Sequence, residues 1–153
     1  MIIEQATIND LGEILELQKL AYQSEAEIYN EYSIPPLTLT LDEIKEDFSS
    51  QIFLKIVINN KIIGSVRAYK EKDTCYIGRL IVHPEFQNQG IGSKLMFKIE
   101  SIYKEIKRFE LFTGYKSKKN LYLYQKLGYR PFKTEKLNEN LYLTYLEKII
   151  DIS

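Results

Sequence analysis

The chain contains no tryptophan, one cysteine, one histidine and no net charge, with 21 Lys and Arg set against 21 Asp and Glu over 153 residues. Each shortage excludes something. A lone Cys75 cannot close an internal disulfide, so packing must hold the fold. Balanced charge removes any general attraction for nucleic acid or an anionic membrane. No apolar run approaches the roughly 20 residues needed to cross a bilayer. The N-terminus MIIEQATIND lacks the basic start and long apolar region of a signal peptide, so a cytoplasmic protein is expected. No His/Cys/Asp cluster has metal-ligand spacing, and no metal is expected. Internal repeats, low-complexity tracts and Gly/Ser linkers are also missing. The length suits one compact domain over residues 1–153 with a sizeable core.

What is present reads as alternating elements. MIIEQA is a short strand, and Asn9 is the expected N-cap of a helix carrying Leu11, Ile14, Leu15, Gln18 and Ala21 at helical spacing. Residues 22–50 read as broken helix, interrupted by Pro35-Pro36, with Thr40 capping TLDEIKEDF. IFLKIVI and KIIGSVRAYK flank Asn59-Asn60, a pair that tolerates positive φ and so marks a tight hairpin. TCYIGRLIV follows across the Glu71-Lys72-Asp73 turn. Leu95, Met96, Ile99, Ile102 and Tyr103 form a helical stripe, and RFELFTG returns as a strand. KKNLYLYQKLG is a short helix closed by Gly128, and YRPF with LYLTYLEKI supplies the last strands. The expected class is α+β, a mostly antiparallel sheet containing one βαβ unit.

Between that unit's first strand and its helix stands HPEFQNQGIGSKLM, residues 83–96. A helix start leaves its first amides unpaired and partly positive, and glycines at 90 and 92 let an anion approach the main chain. Gln87, Asn88 and Gln89 add neutral donors. The stretch reads as an anion cradle. It ends in neither the Gly-Lys-Ser/Thr of the phosphate loop nor the third glycine of the dinucleotide fingerprint.

RLIVHPEFQNQGIGSKLM resembles motif A of the GNAT superfamily of acetyl-CoA-dependent N-acetyltransferases, Gln/Arg-x-x-Gly-x-Gly/Ala, with Gln87, Gly90 and Gly92 on the signature positions. About thirty residues later, NLYLYQKLGYRPF resembles motif B, with Tyr124, Gly128 and Tyr129 on its Tyr-x-x-x-Gly-Phe/Tyr pattern. The succession β-α-α-β-β-β-α-β-α-β-β is also the superfamily's, so the resemblance covers nearly the whole chain. It implies a GNAT-like mixed sheet with a splayed central strand pair and flanking helices. Leu80, Ile81 and Val82 would pair with the pantetheine arm of acetyl-CoA. The segment Asn88, Gln89, Gly90, Ile91, Gly92 and Ser93 would hold the pyrophosphate. Ser117 or Asn120 would reach the pantetheine from the opposite wall, and Tyr124 would protonate the departing thiolate as general acid. Among twelve tyrosines, motif position alone distinguishes Tyr124 from a core residue.

The remaining reactive side chains read as scaffold: His83 as a corner residue before Pro84, Cys75 as buried packing. The basic run KSKKN reads as a solvated helix start or as a contact for the cofactor's 3'-phosphate. In many members of the superfamily a glutamate stands fourteen residues before the first motif glycine, where this chain has Tyr76. A base is therefore expected from the early helices, Glu27 or Glu31 first, reached through ordered water with Tyr76 shaping the channel. The acidic and aromatic stretch with Glu25, Glu27, Glu31, Tyr29 and Tyr32 suits a cationic amine. The implied activity is acetyl transfer from acetyl-CoA to a primary amine of a small molecule or peptide. The alternative is a non-catalytic acyl-CoA-binding sensor on the same fold. Expected partners are the amine and, admitted by the sequence, a second copy as homodimer, with no nucleic acid and no membrane.

Overall fold

The computed structural model describes residues 1–150. After β1 (Ile2–Gln5) the chain makes a 3₁₀ turn, Ile8–Asp10, before α1 (Leu11–Tyr29). Asn9 is thus not the cap. Asp10 precedes the helix, and its carboxylate turns back to accept the Thr7 N–H at 2.8 Å and Lys55 Nζ at 2.8 Å. The expected break after residue 21 does not occur either. α1 runs nineteen residues, because SEAEIY has neither Pro nor Gly and its Ala and Glu favour helix, and it stops at Asn30 in the left-handed region, φ 49.

Pro35-Pro36 opens rather than merely interrupts structure: α2 (Pro35–Thr38) takes proline in its first turn, where no amide partner is needed. The buried Gln18 amide donates to Pro36 C=O at 2.9 Å and pins this turn to α1. α3 (Leu41–Ser50) begins with a capping box, Glu43 N–H to Thr40 Oγ1 at 3.2 Å and Thr40 N–H to Glu43 Oε1 at 2.9 Å.

β2 (Ile52–Ile58), β3 (Lys61–Glu71) and β4 (Thr74–Val82) form an antiparallel meander. Asn59 at φ 51 and Asn60 at φ 64 make the first hairpin as expected, and Lys72 at φ 55 takes part in the second. Next come α4 (Ile91–Ile102), β5 (Arg108–Gly114), α5 (Lys118–Lys126), β6 (Arg130–Asn138) and β7 (Leu141–Ile149). β6 is longer than YRPF suggests. Nearly all of it is exposed, so it carries no apolar alternation and is ordered by pairing with β7.

All seven strands share one sheet in the order β1-β2-β3-β4-β5-β7-β6. Among the described residues only β4 and β5 are parallel, and they pair only at Thr74↔Arg108, Cys75↔Phe109 and Tyr76↔Glu110. Beyond Tyr76 and Glu110 they diverge. One apolar cluster joins Ile77, Ile91, Leu95, Met96, Ile99, Phe109, Leu111 and Tyr124 on the α4 and α5 side. A second joins Leu11, Ile14, Leu15, Ile44, Phe53 and Ile81 under α1 and α3. The sheet is therefore covered on both faces but open at its middle, where a βαβ crossover leaves two strand ends apart. Among the described residues no helix is long and apolar enough to cross a membrane.

Candidate active site

The gap between β4 and β5 is the mouth of a cavity of about 900 Å³, walled by β4, β5, α1, α2 and the starts of α4 and α5. On its β4 side Leu80, Ile81 and Val82 have no β5 partner, so one edge of this strand offers free main-chain donors and acceptors. At the next corner His83 Nδ1 accepts the Glu85 N–H at 3.1 Å and its ring lies edge-on to Phe86, consistent with a corner role. Gln87 Nε2 donates to Val82 C=O at 3.3 Å and so braces the loop.

Asn88 at φ 64 and Gly90 at φ 78 both stand in the left-handed region. That pair of reversals turns the loop into α4, whose first intrahelical bond runs from Lys94 N–H to Gly90 C=O. The amides of Ile91, Gly92 and Ser93 precede it and have no helical acceptor, which leaves a positive helix end at the cavity wall. The two glycines do separate work, and Gly90 makes the sharp turn expected of the pair. A Cβ on Gly90 would meet open space, so this position is needed for its backbone angle. A Cβ on Gly92 would lie 3.3 Å from Leu123 Cδ2 and 3.7 Å from Leu80 Cδ2, so Gly92 makes room for α5 and β4 beside the helix start. Gln89 is exposed and lies outside the wall; the other cradle residues, Gln87 included, line it.

Across the gap, α5 ends in a Schellman turn. Tyr129 N–H bonds Tyr124 C=O at 2.9 Å and Gly128 N–H bonds Gln125 C=O at 3.1 Å, with Gly128 at φ 100. Tyr129 continues inward, and its hydroxyl donates to Glu100 Oε2 at 2.8 Å. This fixes the backbone of Tyr124, whose side chain is 6 % exposed and reaches the cavity. Burial, with Tyr22 and Glu25 nearby, holds the Tyr124 hydroxyl well above its usual pKa, so it stays protonated. Asn120 also lines the wall, with its amide on Thr113 Oγ1 at 3.3 Å.

Ser117, 2 % exposed, is the centre of a hydrogen-bonded chain joining α5 to α1. Lys116 N–H donates to Tyr29 Oη at 2.7 Å, Tyr29 Oη lies 3.0 Å from Ser117 Oγ, and Ser117 Oγ donates to Glu25 Oε2. Since the serine proton goes to Glu25, the tyrosine must donate to the serine. Gly114 permits this approach: a Cβ there would sit 2.6 Å from Tyr29 Cζ and overlap its hydroxyl. Gly114→Ala should therefore lower the unfolding free energy by about 1–3 kcal/mol, the scale of overpacking. Urea denaturation checks this, and an unchanged midpoint would mean that Tyr29 does not hold this position.

Glu25 lines the cavity, and burial raises its carboxyl above the usual range despite the opposing Ser117 bond. The two carboxylates expected as bases are elsewhere. Glu27 is exposed on α1, Glu31 accepts from Ser33, and neither lines the cavity. Helical phase explains it: Gln18, Tyr22, Glu25 and Tyr29 recur every three or four residues on one face, which Glu27 does not share. Tyr76 does not shape the channel either, for it stacks on Tyr69 with ring centroids 5.2 Å apart, outside the wall. Cys75 is fully buried and its thiol is pushed up to about 12, first by burial and then by Glu100, so it is inert packing. Of the basic run, Lys116, Ser117, Lys118, Lys119 and Asn120 all reach the wall. Sequence reasoning missed Tyr22 and Arg79, which also line it.

Comparison with known proteins agrees with this geometry. UPF0157 protein YqkA of Bacillus subtilis (strain 168) is 30 % identical over 141 residues, 92 % of this chain, and the chain spans 40 % of that relative's length. The fold matches smu.2055 of Streptococcus mutans UA159 with TM-score 0.83 and 16 % identity, over 99 % of this chain and all of that one. It also matches the PaiA N-acetyltransferase of Thermoplasma acidophilum, solved in complex with coenzyme A, with TM-score 0.69 and 23 % identity over 97 % and 99 % of the two chains. The family model for the GNAT acetyltransferases matches residues 12–129, from the first turn of α1 to the tyrosine that follows the Schellman glycine. A strand pair parted beyond Tyr76, a bare helix start at Gly90 and a buried tyrosine facing both thus sit within the matched span, and the chain belongs to the GNAT acetyltransferase family.

Proposed function

We propose that this protein is an N-acetyltransferase that moves an acetyl group from acetyl-CoA directly to a primary amine. The observation that carries the reading is the buried Tyr124 hydroxyl facing one continuous cavity that also holds the parted β4 edge and the free amides of α4. The donor set suits the cofactor. Unpaired strand groups at Leu80, Ile81 and Val82 match the amides of a pantetheine arm. The amides of Ile91, Gly92 and Ser93 with the turn at Asn88 match a pyrophosphate, and Lys116, Lys118 and Lys119 bring positive charge to the same cavity. Ser117 is committed to Tyr29 and Glu25, which leaves Asn120 as the side chain for the pantetheine.

When bound, acetyl-CoA supplies an activated thioester carbon and a thiol leaving group. The amine nitrogen forms the new N–C bond as the C–S bond breaks. Tyr124 gives its proton to the leaving sulfur, since a thiol of pKa near ~8.5 departs more readily protonated. Glu25 receives the amine's proton: Ser117 occupies Oε2, and Oε1 has no protein donor among the described residues. Its raised pKa makes it a better proton acceptor than an ordinary carboxylate.

Acetyl-CoA at a hundred times its dissociation constant should add about 2.7 kcal/mol, a rise in melting temperature of roughly 5–10 °C for a chain of this size. Thiol release across an amine library then reads turnover. A folded sample with no shift at millimolar cofactor defeats the proposal; a shift with no thiol release from any amine favours a non-catalytic acyl-CoA sensor.

A further inference from the structure

β4 holds one residue more than β3 requires. Their register passes from Ser65↔Ile81 to Arg67↔Gly78, and Arg79 stands in the resulting bulge at φ 51. A long side chain in that region is uncommon and strained, and bulges commonly re-aim a side chain. Here the re-aimed group is a guanidinium. Leu80 packs with the α4 cluster and Ile81 with the α1 cluster, and Arg79 shares the α1 face with Tyr22. The pyrophosphate cradle at α4 lies on the other face, so Arg79 does not serve it.

Arg79 lines the cavity, yet its Nε is buried with no hydrogen-bond partner among the described residues. Beside it is a second guanidinium, Arg67, 4 % exposed, stacked 4.8 Å over the Phe53 ring and 3.5 Å from Asp47. Burial and then Arg79 pull the Arg67 pKa down to about 10. Arg67 has a structural task, since it ties α3 to the sheet through Asp47. Arg79 has none. Asp47 is engaged by Arg67, so of the two like charges Arg79, the one on the cavity wall, has no carboxylate in ion-pair contact among the described residues.

We infer that Arg79 receives a carboxylate carried by the acceptor, and hence that the acceptor is a small amino-carboxylate rather than a polyamine. The inference rests on the acetyltransferase reading above. Tyr22 connects the two ends of such a molecule: both Arg79 and Glu25 act electrostatically on its hydroxyl, so one short ligand can span amine site and anion site. A guanidinium presents a planar fork that pairs with a carboxylate through two parallel bonds and fills the Nε donor. A polycation would meet Arg79 as a like charge, with the buried Arg67 close behind it.

The test pairs α-, β- and γ-amino acids with their carboxamides, and adds spermidine, in a thiol-release assay on the whole protein. The carboxylate member of at least one pair should be preferred by about 10- to 100-fold in kcat/KM. Arg79→Gln should erase that preference, mainly through KM, and leave the carboxamides unaffected, while Arg79→Lys restores part of it. The acetyl-CoA melting shift should be unchanged in both variants, which establishes that fold and cofactor site are intact. Independently of turnover, N-acetylglycine should displace the Arg79 Nε–H resonance in NMR spectra, and N-acetylglycinamide should not. Carboxamides or spermidine used as well as the acids, an Arg79→Gln loss shared equally by both members of each pair, or an unmoved Nε–H resonance would each overturn the inference. Absence of both the melting shift and thiol release would instead overturn the acetyltransferase reading, and the NMR titration still decides whether Arg79 binds a carboxylate.

Discussion

Tyr124→Phe is expected to lower kcat by about 10²-fold or more while leaving the acetyl-CoA melting shift intact. The ring itself is packing: it is 6 % exposed, lies edge-on to Tyr129 with centroids 6.1 Å apart, and phenylalanine fills the same space. What the substitution removes is one hydroxyl whose pKa burial keeps far above neutrality. A group of that kind keeps its proton throughout the working pH range, so it is always able to offer it to the departing sulfur as negative charge builds there. Single-turnover and steady-state rates together separate chemistry from product release. An unchanged rate where chemistry is limiting would reduce Tyr124 to a core residue. Tyr129→Phe provides the contrast: it loses the bond to Glu100, not a proton at the cavity, and should affect stability more than kcat.

The parts of this fold that were legible in the sequence are those made by neighbours in the chain. The Asn59-Asn60 hairpin, the Thr40–Glu43 capping box and the Gly128 turn are each written within five residues, and the structure has all three. The splay of β4 from β5 was legible only through the family resemblance, because nothing local records where a parallel pairing ends. The second half of α1 was misread for a physical reason. Its inner face carries Tyr22, Glu25 and Tyr29, polar because it faces a cavity, after a buried Gln18 that pins α2, and the apolar period that signals a continuous helix fades where the site begins. The same helical phase, counted onward from Gln18, would have chosen Glu25 over Glu27. Arg79 was invisible in another way: its direction depends on a register shift between two strands, which no pattern within TCYIGRLIV expresses.

Glu25→Gln is expected to change the pH dependence of kcat/KM, and the sign follows from the raised carboxyl. A base must be ionised to act, so wild-type activity should fall with decreasing pH as Glu25 protonates, at a pH above that of an ordinary carboxylate. The groups around it are Tyr22 and Tyr29 on its own helix, Ser117 and Tyr124 across the cavity, and Arg79 beyond Tyr22; the tyrosines are all held above their ordinary values and stay neutral through this range. An alkyl ammonium of pKa near ~10.4 is neutral in only about one molecule in 2,500 at pH 7. Without a base the proposed reaction must wait for that fraction, and kcat/KM for Glu25→Gln should climb about tenfold per pH unit toward the amine's own pKa, starting about 10²-fold or more below wild type. Stability should move the other way. A group whose folded pKa is raised contributes stability below its unfolded pKa and loses it as pH rises through the folded value, so ionised Glu25 is a liability at neutral pH. Glutamine keeps the shape and can still accept from Ser117, and Glu25→Gln should therefore melt higher than wild type at pH 7 and no higher at acidic pH, where the native carboxyl is already neutral. A variant that keeps the wild-type profile and rate would remove Glu25 from the reaction. One that loses activity equally at every pH, without the gain in melting temperature, would leave it a positioning partner of Ser117, because a hydrogen bond lost from the Lys116–Tyr29–Ser117 chain has no reason to follow the titration of the amine.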